Sequence, residues 1–193
     1  MFDPDNIKQA LEIFRNKVVS QSRAGLTRQK KNVSRDLYNS IKGSEVKVTQ
    51  NSLQFNITMS EYASFVDKGV RGADPSAVSK NARIKGQQAP NSPYRFGSGN
   101  FRGTWPQFIN SLTSWVAAKR LRLRDEKGRF TKGNYKTIAQ IVARNIYARG
   151  IKPSLFFTTP FEKYYKDLPE DLEKAFALDV EEFIDFINKQ NFE

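Results

Sequence analysis

Asp125 and Glu126 stand side by side within a run of cations, KRLRLRDEKGRFTKGNYK, residues 119–136. Paired carboxylates beside arginine are one way to hold a divalent cation or to divide acid and base roles. A solvated turn accounts for the same pair. No third carboxylate lies near in sequence, and neighbours on a strand point to opposite faces. The chain has no cysteine and no histidine. That excludes disulfides, thiolate nucleophiles, Cys-based zinc sites and every scheme that needs an imidazole base or ligand. Any catalysis would rest on carboxylate, Lys or Tyr, and the expectation is a protein that is not an enzyme and uses no cofactor.

The residues best suited to chemistry are therefore cations. There are 32 Lys and Arg against 20 Asp and Glu over 193 residues, a formal charge of +12. Such an excess suits a polyanion or an acidic protein surface. Residues 119–136 hold eight basic and two acidic side chains. Arg120, Arg122, Arg124, Lys127, Arg129, Lys132 and Lys136 are the candidates to face phosphate or an acidic neighbour. Tyr94, Phe96, Phe101 and Phe130 interleave with basic residues, a pattern that allows stacking on single-stranded nucleic acid. No RRM, KH or helix-turn-helix signature accompanies them. Residues 13–35 add seven basic side chains and no acid, which reads as a solvated helix face or a second contact surface.

Charge is also segregated along the chain. Residues 1–166 hold 30 basic and 11 acidic side chains, whereas residues 167–193 hold two basic and nine acidic ones. One reading is a solvated acidic helix face. The other is a face on which Glu173, Glu181 and Glu182 meet the basic surface of a second copy.

Two glycine-rich stretches, GVRG (69–72) and GSGNFRG (97–103), match neither GxGxxG nor a Walker loop. Phosphate cradling and plain flexibility both remain open for them. LFFTTPFEKYY, residues 155–165, packs five aromatics together and reads as core or as a docking patch.

Several elements must position these groups. Ile7, Leu11, Phe14 and Val18 recur at helical spacing, with Asp3 and Pro4 as cap and first turn and Gly25 weakening any continuation. A short helix is expected over 34–42, with Leu37 and Ile41 inward and Gly43 just past its end. Val46 and Val48, then Leu53, Phe55, Ile57 and Met59, alternate as in a β-hairpin. Tyr62, Phe65 and Val66 lie at helical spacing, Asp67 follows, and Gly69 supplies a left-handed stop. This turn anchors residues 70–103, which carry little periodicity and read as a flexible arm.

Beyond the arm, Phe108, Leu112, Trp115 and Val116 mark a helix that leads into residues 119–136, which read as a basic β-hairpin or loop. A further helix with Ile138, Ile141, Val142 and Ile146 ends at Gly150, and KPSLFFT reads as a short strand. TPFE, residues 159–162, has the form of a capping box. Pro169 restarts or kinks the helix that follows, and Leu172, Phe176, Val180, Phe183 and Ile187 form its apolar stripe. The expected fold is α+β, a single domain over 1–193. A small antiparallel sheet is packed by N-terminal, central and C-terminal helices, with long projecting loops. No apolar run approaches the ~18 residues of a membrane span. The polar N-terminus is unlike a signal peptide. A soluble chain made in a cytosol is the expectation.

Two segments in order, Tyr62-Ala63 with Phe65-Val66-Asp67 and Gly69, then Gly150-Ile151-Lys152-Pro153 with Leu155-Phe156-Phe157, resemble the tail-completion, or head–tail connector, family of tailed double-stranded DNA phages. The resemblance runs over most of residues 5–188. It departs from the family at Asp67, where Glu is commoner, and in the length of the loops at 70–103 and 119–136. It implies a virion protein of the phage neck, made in the host cytoplasm. Identical subunits, typically six, would form a ring around the DNA channel and meet portal, connector and tail proteins. The family has no catalytic residues to carry over. A nonspecific nucleic-acid-binding protein using its basic loops is the alternative.

Overall fold

A long helix opens the chain and a longer one closes it. In a computed structural model, which describes residues 4–31, 33–49, 52–78, 84–99, 103–131 and 133–191, α1 spans Asp5–Arg28 and α6 spans Thr158–Asn191. Between them come α2 (Asp36–Ser40), β1 (Lys42–Gly43), β2 (Lys47–Thr49), β3 (Ser52–Gln54), β4 (Ile57–Thr58), α3 (Ala63–Lys68), β5 (Val70–Arg71), α4 (Trp105–Ala118), α5 (Tyr135–Arg149) and β6 (Gly150–Ile151). The class is α+β. The expected small sheet takes the form of separate pairs. The chain forms two compact units, Met1–Glu61 with Leu155–Glu193, and Tyr62–Ser154. Among the described residues the strands form three two-stranded antiparallel pairs, β1 with β4, β2 with β3 and β5 with β6.

In the first unit α1 packs along α6. Phe14, Val18, Leu26 and Gly25 are buried on α1, as are Phe156 and Ala175 on the C-terminal segment. Gly25 does not weaken the helix. Its bare face lies against Phe156, where a Cβ would stand 3.6 Å from the Phe156 backbone, and α1 runs through to Arg28. Phe14 meets Phe55 and Phe161 edge-on at 6.1 and 5.8 Å, the arrangement that suits the ring quadrupoles. Of the hairpin expected over 46–59, Lys47–Thr49 pairs with Ser52–Gln54, with Val48 opposite Leu53, whereas Ile57 lies opposite Gly43 of β1 instead. Gly43 is thus a strand residue rather than a helix stop, because Ile41 already has extended geometry and is fully buried.

Four expectations about the C-terminal segment change in whole or in part. The expected strand KPSLFFT, residues 152–158, does not form: the pairing falls just before it, at Gly150–Ile151, and residues 152–157 lead into α6 without a ladder. The helix begins at Thr158, so Pro160 lies within its first turn. The helix also stays continuous through Pro169. The apolar stripe holds in part. Leu172, Val180 and Phe183 are half-buried, but Ala175 and Asp179 are the buried residues, and Phe176 and Ile187 are exposed. The reason is the partner surface: α1 presents its first turn where Asp179 lies, and that turn offers N–H groups rather than carbon.

The second unit is built on α4 and α5, whose contact buries Ile109, Val116, Ile138, Ala139 and Ala143. Thr104 and Gln107 cap α4 reciprocally, and Asn134 caps α5 through the Thr137 N–H at 2.7 Å. These side chains satisfy N–H groups that a helix start leaves open.

Candidate functional site

The basic hairpin takes its register from the end of α4. There the Leu121 N–H reaches the Val116 carbonyl at 3.1 Å and the Arg120 N–H reaches the Ala117 carbonyl at 2.9 Å. That double closure places Arg120 in the left-handed region, φ 51°. The chain then alternates. Leu121 and Leu123 pack on the α4–α5 core, and Arg122 and Arg124 point outward, exposed. The RLRLR pattern thus becomes a two-faced extended segment, bridged to the returning chain where Arg124 lies opposite Phe130.

At the tip, Asp125 accepts from the Arg129 N–H at 2.8 Å and pairs with the Arg129 guanidinium at 2.9 Å. The Gly128 N–H closes the turn on the Asp125 carbonyl at 2.9 Å. Asp125 therefore organises the turn. Among the described residues no group of three His, Cys, Asp or Glu side chains gathers where it could hold a metal. Arg124 lies 4.2 Å from the centre of the Phe130 ring, and Phe130 is 59% exposed. Arg120, Arg122, Arg124, Lys127, Arg129 and Lys136 are all exposed. Lys132 lies outside the described residues, as does Phe101.

The Tyr62–Gly69 turn forms as expected in outline, with α3 stopped by Gly69 at φ 71°. Its inward residues differ from the expected set. Ala63 and Asp67 are buried, while Tyr62 and Phe65 are exposed. Phe65 instead meets Tyr94 edge-on at 4.5 Å. Val66 accepts from the Ser154 hydroxyl at 2.6 Å, and the Asp67 carbonyl accepts from the Ser154 N–H at 3.0 Å. Val70 pairs with Ile151 and Arg71 with Gly150. The two segments that carry the family resemblance are thus neighbours in space. Glycine is required there. A Cβ on Gly72 would strike the Ala148 carbonyl, and one on Gly150 would strike the Val70 carbonyl.

The described residues of the 70–103 segment are stitched down rather than projecting. Arg71 and Phe96 exchange backbone bonds with residues 94 and 71 at 2.8 and 2.9 Å. The Gln88 N–H donates to the Arg149 carbonyl at 2.9 Å, and the Ser92 hydroxyl to the Gly69 carbonyl at 2.7 Å. Phe96 packs on Tyr147 and Phe108. Backbone polar groups and a few aromatics hold this stretch, and neither leaves a periodic signal. Burial lowers the pKa of Arg149, whose guanidinium donates to the Ile84 carbonyl at 3.1 Å. Residues 79–83 and 100–102 lie outside the described residues.

In the first unit an open groove of about 670 Å³ runs along the basic face of α1, lined in part by Ser20, Arg23, Arg28 and Tyr38. Arg23 sits over Tyr38 at 5.2 Å and donates to the Ile41 carbonyl at 2.7 Å. Glu173, Glu181 and Glu182 are exposed on α6. Phe156 is core, and Phe157, Phe161 and Tyr165 stack in turn at 5.7 and 5.5 Å. Among the described residues no helix is long and apolar enough to cross a membrane.

No family model, no curated protein and no solved structure matches this chain.

Proposed function

We propose that this chain is a structural subunit of a phage neck, which assembles as a ring of identical copies, typically six, to complete or join the tail around the DNA channel. Portal, connector and tail proteins are its partners in this reading, and the virion its destination. The observation that carries it is the β5–β6 pairing. Val70 opposite Ile151 brings the Tyr62–Gly69 turn beside the Gly150–Pro153 element. These are the segments whose order resembles the tail-completion family, and flanking helices occur where that order requires them. The role is architectural in this reading, because the family that the chain resembles has no catalytic residues to carry over. Negative-stain imaging and sedimentation of the purified chain test this. A closed ring with an axial channel supports the proposal, and a monomer at every concentration overturns it.

A second reading has its own observation. Seven described cations of residues 119–136 are exposed, in a segment that also carries the exposed Phe130 ring. That is a surface able to track phosphate and stack a base. Under this reading, the slope of log affinity for single-stranded DNA against log salt falls on replacing Arg122 and Arg124 with Gln. The parent–variant gap is widest at low salt, where screening is weakest.

A further inference from the structure

Asp179 lies at the first turn of α1, and α6 continues to Asn191. The twelve residues beyond Asp179 extend about 18 Å at the helical rise. Leu178, Ile184, Phe186 and Ile187 are 50%, 51%, 47% and 39% exposed. Ile184 and Ile187 lie on adjacent turns of one face. Glu181, Glu182 and Asp185 surround them, also exposed. An apolar patch rimmed by charge is the form of a protein contact.

We propose that this end of α6 docks on the basic hairpin of a second copy of the chain, head to tail. Charge selects that occupant. Pairing α6 with another α6 would set Glu181, Glu182 and Asp185 against their own kind, and like charges at an interface are costly. The hairpin offers the opposite sign in Arg122, Arg124 and Arg129, and an exposed ring of its own in Phe130. A phosphate backbone would match those arginines but has nothing to cover Ile184 and Ile187. In the docked pair Phe130 fills the apolar patch, and the arginines around it meet the carboxylates at the rim. The apolar centre supplies the affinity and the charges supply register. A contact between two different surfaces of one chain propagates, and closes into a ring when the rotation allows. This deepens the ring proposal, because it rests on self-assembly, and it is independent of which virion partner is met.

Sedimentation velocity of the full chain tests the docking, with circular dichroism to verify folding. Phe130→Ser and the double variant Ile184→Ser/Ile187→Ser change only exposed side chains. Each alone is expected to raise the concentration for self-association about tenfold or more. An equimolar mixture of the two has one intact contact, and should give dimers and nothing larger. Combining Arg122→Glu/Arg124→Glu with Glu181→Lys/Glu182→Lys in one chain should restore part of the association that either pair alone removes. A Phe130→Ser chain that assembles like the parent overturns the docking, as does one that loses only DNA affinity. If the parent assembles and no variant responds, the docking fails and the ring proposal stands. A parent that stays monomeric overturns both.

Discussion

Asp179 caps the first turn of α1 from the far end of the chain: its carboxylate accepts the Asn6 backbone N–H at 2.8 Å, the Asn6 side-chain amide at 2.8 Å and the Ile7 N–H at 3.1 Å. Pro4, the local N-cap, offers no side-chain cap bond. Helix N-termini carry open N–H groups and a partial positive charge, so a buried carboxylate satisfies both there. Asp179 is 1% exposed, which leaves water no route to replace it.

Asp179→Ala is expected to destabilise the α1–α6 unit by about 1–3 kcal/mol, the cost of orphaned buried donors. Asp179→Asn keeps one acceptor and should recover part of that. Urea unfolding checks it, through a lowered midpoint at unchanged slope. An unmoved midpoint would mean that those N–H groups find other partners.

At the crossing of β5 and β6, Gly72→Ala and Gly150→Ala should each cost about 2–3 kcal/mol. A Cβ at either position meets a backbone carbonyl that cannot yield without opening the β5–β6 pair. Deleting residues 84–99 should likewise destabilise the second unit, since Ala89 and Ser92 are buried within it. Limited proteolysis and thermal melts read both. Unchanged melting after the deletion would show that the segment is only draped on the surface.

Lys30 and Arg120 occupy left-handed positions just past α1 and α4, with φ of 54° and 51°. Each follows a pair of backbone bonds that closes the helix, Lys31 to Leu26 at 2.9 Å in the first case and Leu121 to Val116 at 3.1 Å in the second. Glycine reaches this conformation without the Cβ penalty of about 1–2 kcal/mol, and gives back part of that in chain entropy. Lys30→Gly and Arg120→Gly are each expected to stabilise by up to about 1 kcal/mol. A lowered melting temperature would instead reveal side-chain contacts worth more than the strain.

Asp74 is expected to titrate below its ordinary value of 3.8, because the Ser76 hydroxyl and N–H donate to its carboxylate. A folded value below the unfolded one means that the turn is stabilised fully above pH 3.8, and that this contribution fades as pH falls through the lowered value. Ser76→Ala should move the titration back up. Carboxyl-carbon NMR measures it, and an Asp74 that titrates at 3.8 in the parent would contradict the hydrogen-bonded turn.

Much of this architecture was legible in short-range pattern. Helical spacing marked α1, α4 and α5. The alternation from Val46 to Met59 marked the paired strands β2 and β3. Gly69 and Gly150 marked the stops of α3 and α5. The absence of Cys and His excluded whole classes of chemistry by elementary composition. All these signals are local: they repeat over two to four residues, and backbone geometry turns that repeat directly into a face.

Tertiary structure decided what those faces meet. Asp179 is buried on α6 because α1 presents N–H groups there, and no periodicity in α6 records the identity of a partner 173 residues away. Residues 84–99 looked unstructured because backbone hydrogen bonds to Arg149 and Arg71 hold them, and backbone groups are the same for every sequence. The same reason hid the pairing of Val70 with Ile151. Sequence alone determined which surfaces are basic, acidic or apolar. Only the fold decided which of them are consumed within the chain and which, like Ile184, Ile187 and Phe130, are left exposed.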